Sequence, residues 1–228
     1  MILSIPKLID RDTVTSIRSR LDASDAPWVD GRVSAGYSGA PVKLNQQISE
    51  VSQLAAEAGD QILSFLERNP LFISFALPNQ VYPPMFNRYG EGMTFGNHVD
   101  GGVRISPATG RKIRADLSIT LFLADPSEYD GGELVIEDTY GTHEVKLAAG
   151  DAIVYPASSL HRVQPVTRGV RVASFFWIQS LIRNDGQRSI LHDMDTAIQR
   201  LNATSGDEDA RRTLVGCYHN LLRQWSET

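Results

Sequence analysis

Sulfur and imidazole chemistry are both scarce in this chain of 228 residues, which carries one cysteine and five histidines. A single thiol, Cys217, rules out an intramolecular disulfide and a cysteine-based zinc cluster, and it points to a reducing compartment. Cys217 itself reads as a small buried apolar residue. With so few histidines, each one can be weighed individually as a metal ligand.

Basic surplus is also missing. Lys and Arg total 22 against 27 for Asp and Glu, a formal net charge of −5, whereas a protein that grips nucleic acid or anionic membrane over a broad face needs clustered cations. No nucleic-acid or membrane partner is therefore expected. No apolar run approaches a membrane span, and Met1-Ile-Leu-Ser-Ile-Pro-Lys7 lacks a basic segment followed by a long apolar stretch. The expectation is a soluble, cytoplasmic protein without internal repeats or low-complexity tracts. Its 42% hydrophobic content is enough for a sizeable core.

Three zones follow from the periodicity. In residues 1–71, Asp10 is positioned to cap a helix with Val14, Ile17 and Leu21 on one face, and a second helix is expected from about Ser49 to Arg68, burying Val51, Leu54, Ala55, Ala58, Ile62, Phe65 and Leu66. From residue 72 to 180 short β-branched and aromatic runs alternate with turn formers. The expected strands are Phe72–Leu77, Met85–Tyr89, Leu117–Leu123, Glu133–Glu137, His143–Leu147, Ala152–Tyr155, His161–Val163 and Val170–Ile178, with turns at 129–132, 139–142, 149–151 and 167–169. Many short strands without intervening helices predict a sandwich or barrel. Residues 181–228 return to helix, with Ile190, Met194, Ala197, Ile198 and Leu201 on one face and Leu214, Tyr218, Leu221, Leu222 and Trp225 on another; Ser205-Gly-Asp-Glu208 fits a capping box. That tail carries no candidate catalytic residue, so its expected role is packing on the β core or on a second subunit of a homo-oligomer.

The chemistry centres on His98-Val99-Asp100. An imidazole and a carboxylate two positions apart share a side of an extended segment, so both can face one ion. Two histidines and one carboxylate leave open positions suited to non-haem Fe(II) that activates oxygen. His143 sits in a hydrophilic, edge-like strand, and His192 and His219 fall in the helical tail. His161 follows the buried run Gly150-Asp-Ala-Ile-Val-Tyr-Pro156 and opens an expected hairpin whose far arm carries Arg171. With the tip near Val166 to Gly169, His161 and Arg171 would be approximate cross-strand neighbours. The permanently charged guanidinium would then hold the remote end of a dicarboxylic acid chelating the metal. Alternation puts Arg171, Ala173, Phe175 and Trp177 on one face; Arg168, in the turn, is less suited to the task.

His98-x-Asp100, a gap of about sixty residues, His161 and then Arg171 together form a specific pattern. With Trp28-Val-Asp-Gly-Arg32, Asn87-Arg-Tyr89, Leu117-Ser-Ile-Thr-Leu-Phe-Leu123, Tyr129-Asp-Gly-Gly-Glu-Leu134, Gly150-Asp151, His161-Arg-Val163 and Tyr218-His-Asn-Leu-Leu222, the chain resembles the Fe(II)/2-oxoglutarate-dependent dioxygenases. More narrowly it resembles the prolyl-hydroxylase-like PKHD-type hydroxylases, the PiuC (YbiX) iron-uptake-factor group. The resemblance spans nearly the whole chain.

It implies an α+β protein, mainly β in its core. The core would be a double-stranded β-helix, or jelly roll, over 72–180, with N-terminal helices at 1–71 and a C-terminal helical extension at 181–228. It implies Fe(II) held by His98, Asp100 and His161, 2-oxoglutarate anchored by Arg171, O2 as oxidant and L-ascorbate as reductant. Asn87 and Tyr89 are similar to residues that help bind the cosubstrate in related dioxygenases. The substrate implied is a small molecule or peptide whose identity the loops 28–44 and 101–114 do not encode; Arg104, Arg111, Lys112 and Arg114 suit an acidic one or a solvated loop. The competing readings are a zinc-dependent hydrolase, which calls for a Glu or His base near the metal, and a non-catalytic jelly-roll module that binds a small acid.

Overall fold

The computed structural model describes residues 1–37, 39–107, 109–139, 141–204 and 207–227. Two antiparallel sheets face one another. The larger sheet runs, in spatial order, β1 (Leu3–Ile5), β14 (Ala152–Pro156), β10 (Leu117–Phe122), β17 (Arg171–Ser180), β6 (Met85–Tyr89), β4 (Gln46–Ile48) and β2 (Trp28–Asp30), with β5 (Pro78–Val81) also paired to β17. The smaller sheet runs β13 (Gly141–Val145), β12 (Leu134–Asp138), β15 (Leu160–Val163), β7 (Thr94–His98) and β3 (Lys43–Leu44). Two ribbons complete the β structure: β11 (Tyr129–Gly131) with β16 (Val166–Gly169), and β8 (Val103–Ile105) with β9 (Lys112–Arg114).

The N-terminal zone does more than flank this core, because β1 to β4 belong to its two sheets. Between them, α1 (Arg11–Leu21) begins where Asp10 Oδ1 accepts the Thr13 amide at 2.7 Å, a cap of about 1 kcal/mol. Helix α2 (Gln53–Leu66) is capped by Ser52. Val14, Ile17, Leu21, Ala58, Ile62 and Leu66 join Ile119, Phe176 and Ile178 in one buried cluster, each large side chain contributing roughly 1.5–3 kcal/mol. Val51, expected on the buried side of α2, precedes the helix and is exposed.

The strand expected at Phe72–Leu77 is instead helix α3 (Pro70–Ala76). Asn69 Oδ1 accepts the Phe72 amide at 2.9 Å, Pro70 occupies the first turn, and Leu77 ends the helix in a left-handed conformation, φ 43°. The Asn-Pro start signal and the burial of Phe72, Phe75 and Ala76 at helical spacing outweigh the β propensity of the run. The tail forms α4 (Asp185–Asn202) and α5 (Glu208–Trp225). Tyr218, Leu221, Leu222 and Trp225 pack with Leu77, Ile182 and Leu191, and the Glu227 amide donates to Leu181 O at 2.8 Å, returning the chain end to the core. Of the other expected tail positions, Ile190, Leu201 and Leu214 are exposed, as is Cys217. Asp207 caps α5; Ser205 and Gly206 of the expected capping box, Tyr140 of the 139–142 turn and Ser38 lie outside the described residues.

Candidate active site

Register delivers the site. On the smaller sheet, His161 of β15 lies directly opposite His98 of β7, with their ring centroids 4.1 Å apart. Asp100 lies beyond the end of β7, so strand alternation does not carry it to the histidines. Ser118 of β10 helps hold it, donating from Oγ to Asp100 Oδ2 at 2.5 Å. Asp100 Oδ1 then stands 4.0 Å from His98 Nε2 and 3.8 Å from His161 Nε2. One ligand atom from each of the three residues falls within 4.8 Å of the other two.

Both imidazoles are oriented by their own chain. His98 Nδ1 meets Gly96 O at 2.8 Å and His161 Nδ1 meets Ser159 O at 3.0 Å, which places the ring proton on Nδ1 and leaves Nε2 as a lone-pair donor. Phe95 stacks on His98 at 3.5 Å and Tyr155 meets His161 edge-on at 5.3 Å. Burial, followed by the adjacent His161, pushes His98 down to about 4 against the pull of Gly96 O and Asp100. The imidazole is therefore neutral at physiological pH.

Arg171 belongs to the other sheet. The expected hairpin between it and His161 is not formed: residues 166–169 make strand β16, which pairs with β11, and the chain crosses from β15 in the smaller sheet to β17 in the larger. His161 and Arg171 meet instead across the sandwich, lining one cavity of about 310 Å³ that also holds His98, Asp100, Asn87, Tyr89, Tyr155 and Thr120. Arg171 is opposite Tyr89 on β6, and Asn87 is opposite Ala173, so the three side chains emerge together. The guanidinium lies 5.4 Å from the ring centroids of both Tyr89 and Phe122. It is 1% exposed, reaches Asn87 Oδ1 only at 3.5 Å, and leaves Nε without an acceptor. An unpaired buried cation is costly, and a carboxylate ligand would satisfy it. Burial also raises Tyr89 to about 12 and Tyr155 well above the ordinary tyrosine value, so both hydroxyls stay protonated as donors.

Sequence reasoning missed Tyr155, Ser118 and Lys43. The first two lie in apolar-looking strands, where alternation about the buried sheet gave the only signal. Lys43 precedes the core and enters the cavity because β3 pairs with β7. Other candidates fall elsewhere: His143 is half-exposed beside Asp138, Arg168 pairs with Asp130 at the surface, and Trp28 packs on the core with Nε1 donating to Leu21 O. Arg114 is tied to Asp116 and Glu227, leaving Arg104 as the cavity-lining member of its loop.

The two-sheet core thus brings a His-Asp-His cluster able to hold a metal ion and a buried arginine to one cavity. The family model of the 2OG-Fe(II) oxygenase superfamily matches residues 84–179, and that of the PKHD-type hydroxylase C-terminal domain matches 185–227. A Pseudomonas putida prolyl-4-hydroxylase shares the fold with a TM-score of 0.56 at 22% identity, over 78% of this chain and 92% of that one. A Trichoplax adhaerens prolyl hydroxylase, solved with a hypoxia-inducible-factor peptide fragment, gives 0.55 at 12% identity over 83% and 86%. A PKHD-type hydroxylase of Cupriavidus metallidurans is 68% identical over 228 residues, and one of Stenotrophomonas maltophilia is 57% identical over 227, each match covering 100% of both chains. The chain belongs to the PKHD-type hydroxylases, a family of Fe(II)- and 2-oxoglutarate-dependent oxygenases.

Among the described residues no helix is long and apolar enough to cross a membrane.

Proposed function

We propose that His98, Asp100 and His161 hold Fe(II) through Nε2, a carboxylate oxygen and Nε2, and that Arg171 binds the distal carboxylate of 2-oxoglutarate, with Asn87 and Tyr89 beside it. The observation that carries this reading is the meeting, in one cavity, of three converging ligand atoms and a buried guanidinium that has no anionic partner among the described residues. When bound, iron and 2-oxoglutarate supply the coupled oxidation in which 2-oxoglutarate and O2 become succinate and CO2 while a substrate C–H becomes C–OH.

The chain's own residues supply position and electrostatics. Ser118 keeps one Asp100 oxygen occupied, directing the other toward the histidines. The carbonyls of Gly96 and Ser159 fix the imidazole tautomers. Arg171 selects a ligand with a second carboxylate, and Phe95, Tyr155 and Phe176 help wall the cavity against water. Asp100 is the cavity's one acidic residue among those described, so the general base required by a zinc hydrolase has no candidate there.

L-ascorbate is the proposed reductant that keeps iron ferrous. The proposed substrate is a small molecule or peptide, and the proposed setting is a reducing cytoplasm, which suits a free, exposed Cys217. Purified protein given Fe(II), 2-oxoglutarate and O2 is expected to form succinate, and Asp100→Ala and His161→Ala to abolish it. Equal succinate formation by those variants overturns the assignment.

A further inference from the structure

Beyond the cluster that serves iron and 2-oxoglutarate, the same cavity has a second wall. Lys43 is 5% exposed. Its ammonium donates to Ser34 Oγ at 3.0 Å and lies 4.9 Å from the ring centroid of Phe95 and 5.9 Å from that of Phe175. Arg104 stacks on Trp177 at 4.3 Å, and its Nη1 reaches the Ser34 carbonyl at 3.3 Å. Neither cation makes an ion pair among the described residues.

Two neutral residues of this wall repeat the theme. Gln47, 1% exposed, accepts from Ser34 Oγ through Oε1 at 2.6 Å, which leaves Nε2 as the unused end of its amide; Trp177 Nε1 likewise has no acceptor. The wall is rich in donors and poor in acceptors. Nitrogen donors left buried without acceptors cost free energy, and a ligand bearing oxygen acceptors relieves that cost.

Charge balance separates this wall from the cosubstrate site. Among the described residues that line it, the cavity holds Arg171, Lys43 and Arg104 against Asp100. Iron adds two positive charges and 2-oxoglutarate two negative ones, so the cationic excess survives their binding. Ser34, Gln47 and Arg104 also line an adjoining surface groove with Tyr82, Val33, Ile105 and Glu50, where Glu50 Oε2 accepts from the Tyr82 hydroxyl at 2.8 Å; a ligand longer than the cavity has an exit there that passes the cations.

Resting on the function proposed above, we infer that the hydroxylated substrate is an organic anion whose carboxylate, or a comparable oxyanion, sits between Lys43 and Arg104. Phe175 and Trp177 pack its apolar part, and neutral or cationic analogues are rejected because they leave the two cations uncompensated.

The test uses full-length protein loaded anaerobically with Fe(II) and 2-oxoglutarate, titrated by calorimetry with four acids and their matched amides: phenylacetate, salicylate, N-acetylaspartate and N-acetylglutamate. At least one acid is expected to bind tenfold or more tighter than its amide. Lys43→Met and Arg104→Met should each erase that preference, and Arg104→Lys should retain most of it. Titration of 2-oxoglutarate alone is expected to agree within about twofold in all these variants. No acid preferred over its amide, or a preference that persists in both methionine variants, overturns the inference. Failure of 2-oxoglutarate itself to bind the wild type would instead overturn the underlying assignment, so the two failures are distinguishable.

Discussion

His161 and Arg171 stand on different sheets and face one cavity, although a short stretch of chain separates them. The intervening ribbon strand carries the polypeptide from one layer to the other. The two proposed histidine ligands are thereby set by the smaller sheet, while the proposed anion anchor and the Ser118 hydroxyl that holds Asp100 come from the larger.

That division predicts separable losses. Arg171→Met is expected to weaken 2-oxoglutarate binding about 10- to 100-fold, the value of roughly 1.5–3 kcal/mol for a charged hydrogen-bonding partner, while Co(II) affinity stays within about twofold. Anaerobic titrations of cosubstrate and metal check both halves. Joint loss would assign Arg171 a structural role.

Ser118→Ala removes the hydroxyl that donates to Asp100 Oδ2. Groups of this kind typically hold about 10- to 100-fold in metal affinity. Chelator competition should show a drop of that order, with the thermal midpoint of the metal-free protein little changed.

Gly132 has φ +67°, and a Cβ there would approach Val166 Cγ2 at 3.0 Å, Tyr129 Cε2 at 3.1 Å and Arg171 Cδ at 3.2 Å. Gly132→Ala is therefore expected to cost about 1–3 kcal/mol from backbone strain and crowding. It should also raise the 2-oxoglutarate KM by displacing the Arg171 stem. Urea unfolding and a cosubstrate titration measure the two effects; a stability loss with an unchanged KM would show that the arginine does not feel the clash.

Lys43 gives a pH signature. Burial, then the charge of Arg104, push it down to about 8 from 10.5. Between those values the unfolded chain holds more protons than the folded one, so the burial penalty is constant below about pH 8 and is relieved as pH rises toward 10.5. Lys43→Met should be more stable than wild type at pH 7, with an advantage that shrinks by pH 10. Urea midpoints across that range test it, and a pH-independent difference would contradict it.

Much of the site is legible in the chain because its chemistry is local. His98-x-Asp100 is a contiguous signal, His161 follows a buried strand, and the alternation of Arg171, Phe175 and Trp177 is that of one strand face. Register and layer assignment are less accessible. That His161 pairs with His98 depends on long-range antiparallel contacts, and a short loop favours the hairpin that the fold does not make. Lys43 is invisible for the same reason, since its two-residue strand acquires a partner only in three dimensions. The helix at Pro70–Ala76 was encoded by Asn69-Pro70, but its Phe and Ile content speaks for a strand until the cap is weighed.

The carbonyls of Gly96 and Ser159 that grip the two imidazoles lie two residues before the rings they hold, Gly96 within β7 and Ser159 in the bend that leads into β15. On the proposed reading the two imidazoles are consequently aimed by backbone that the β core fixes, so a metal would meet a pair of nitrogen donors already set in place rather than having to gather them.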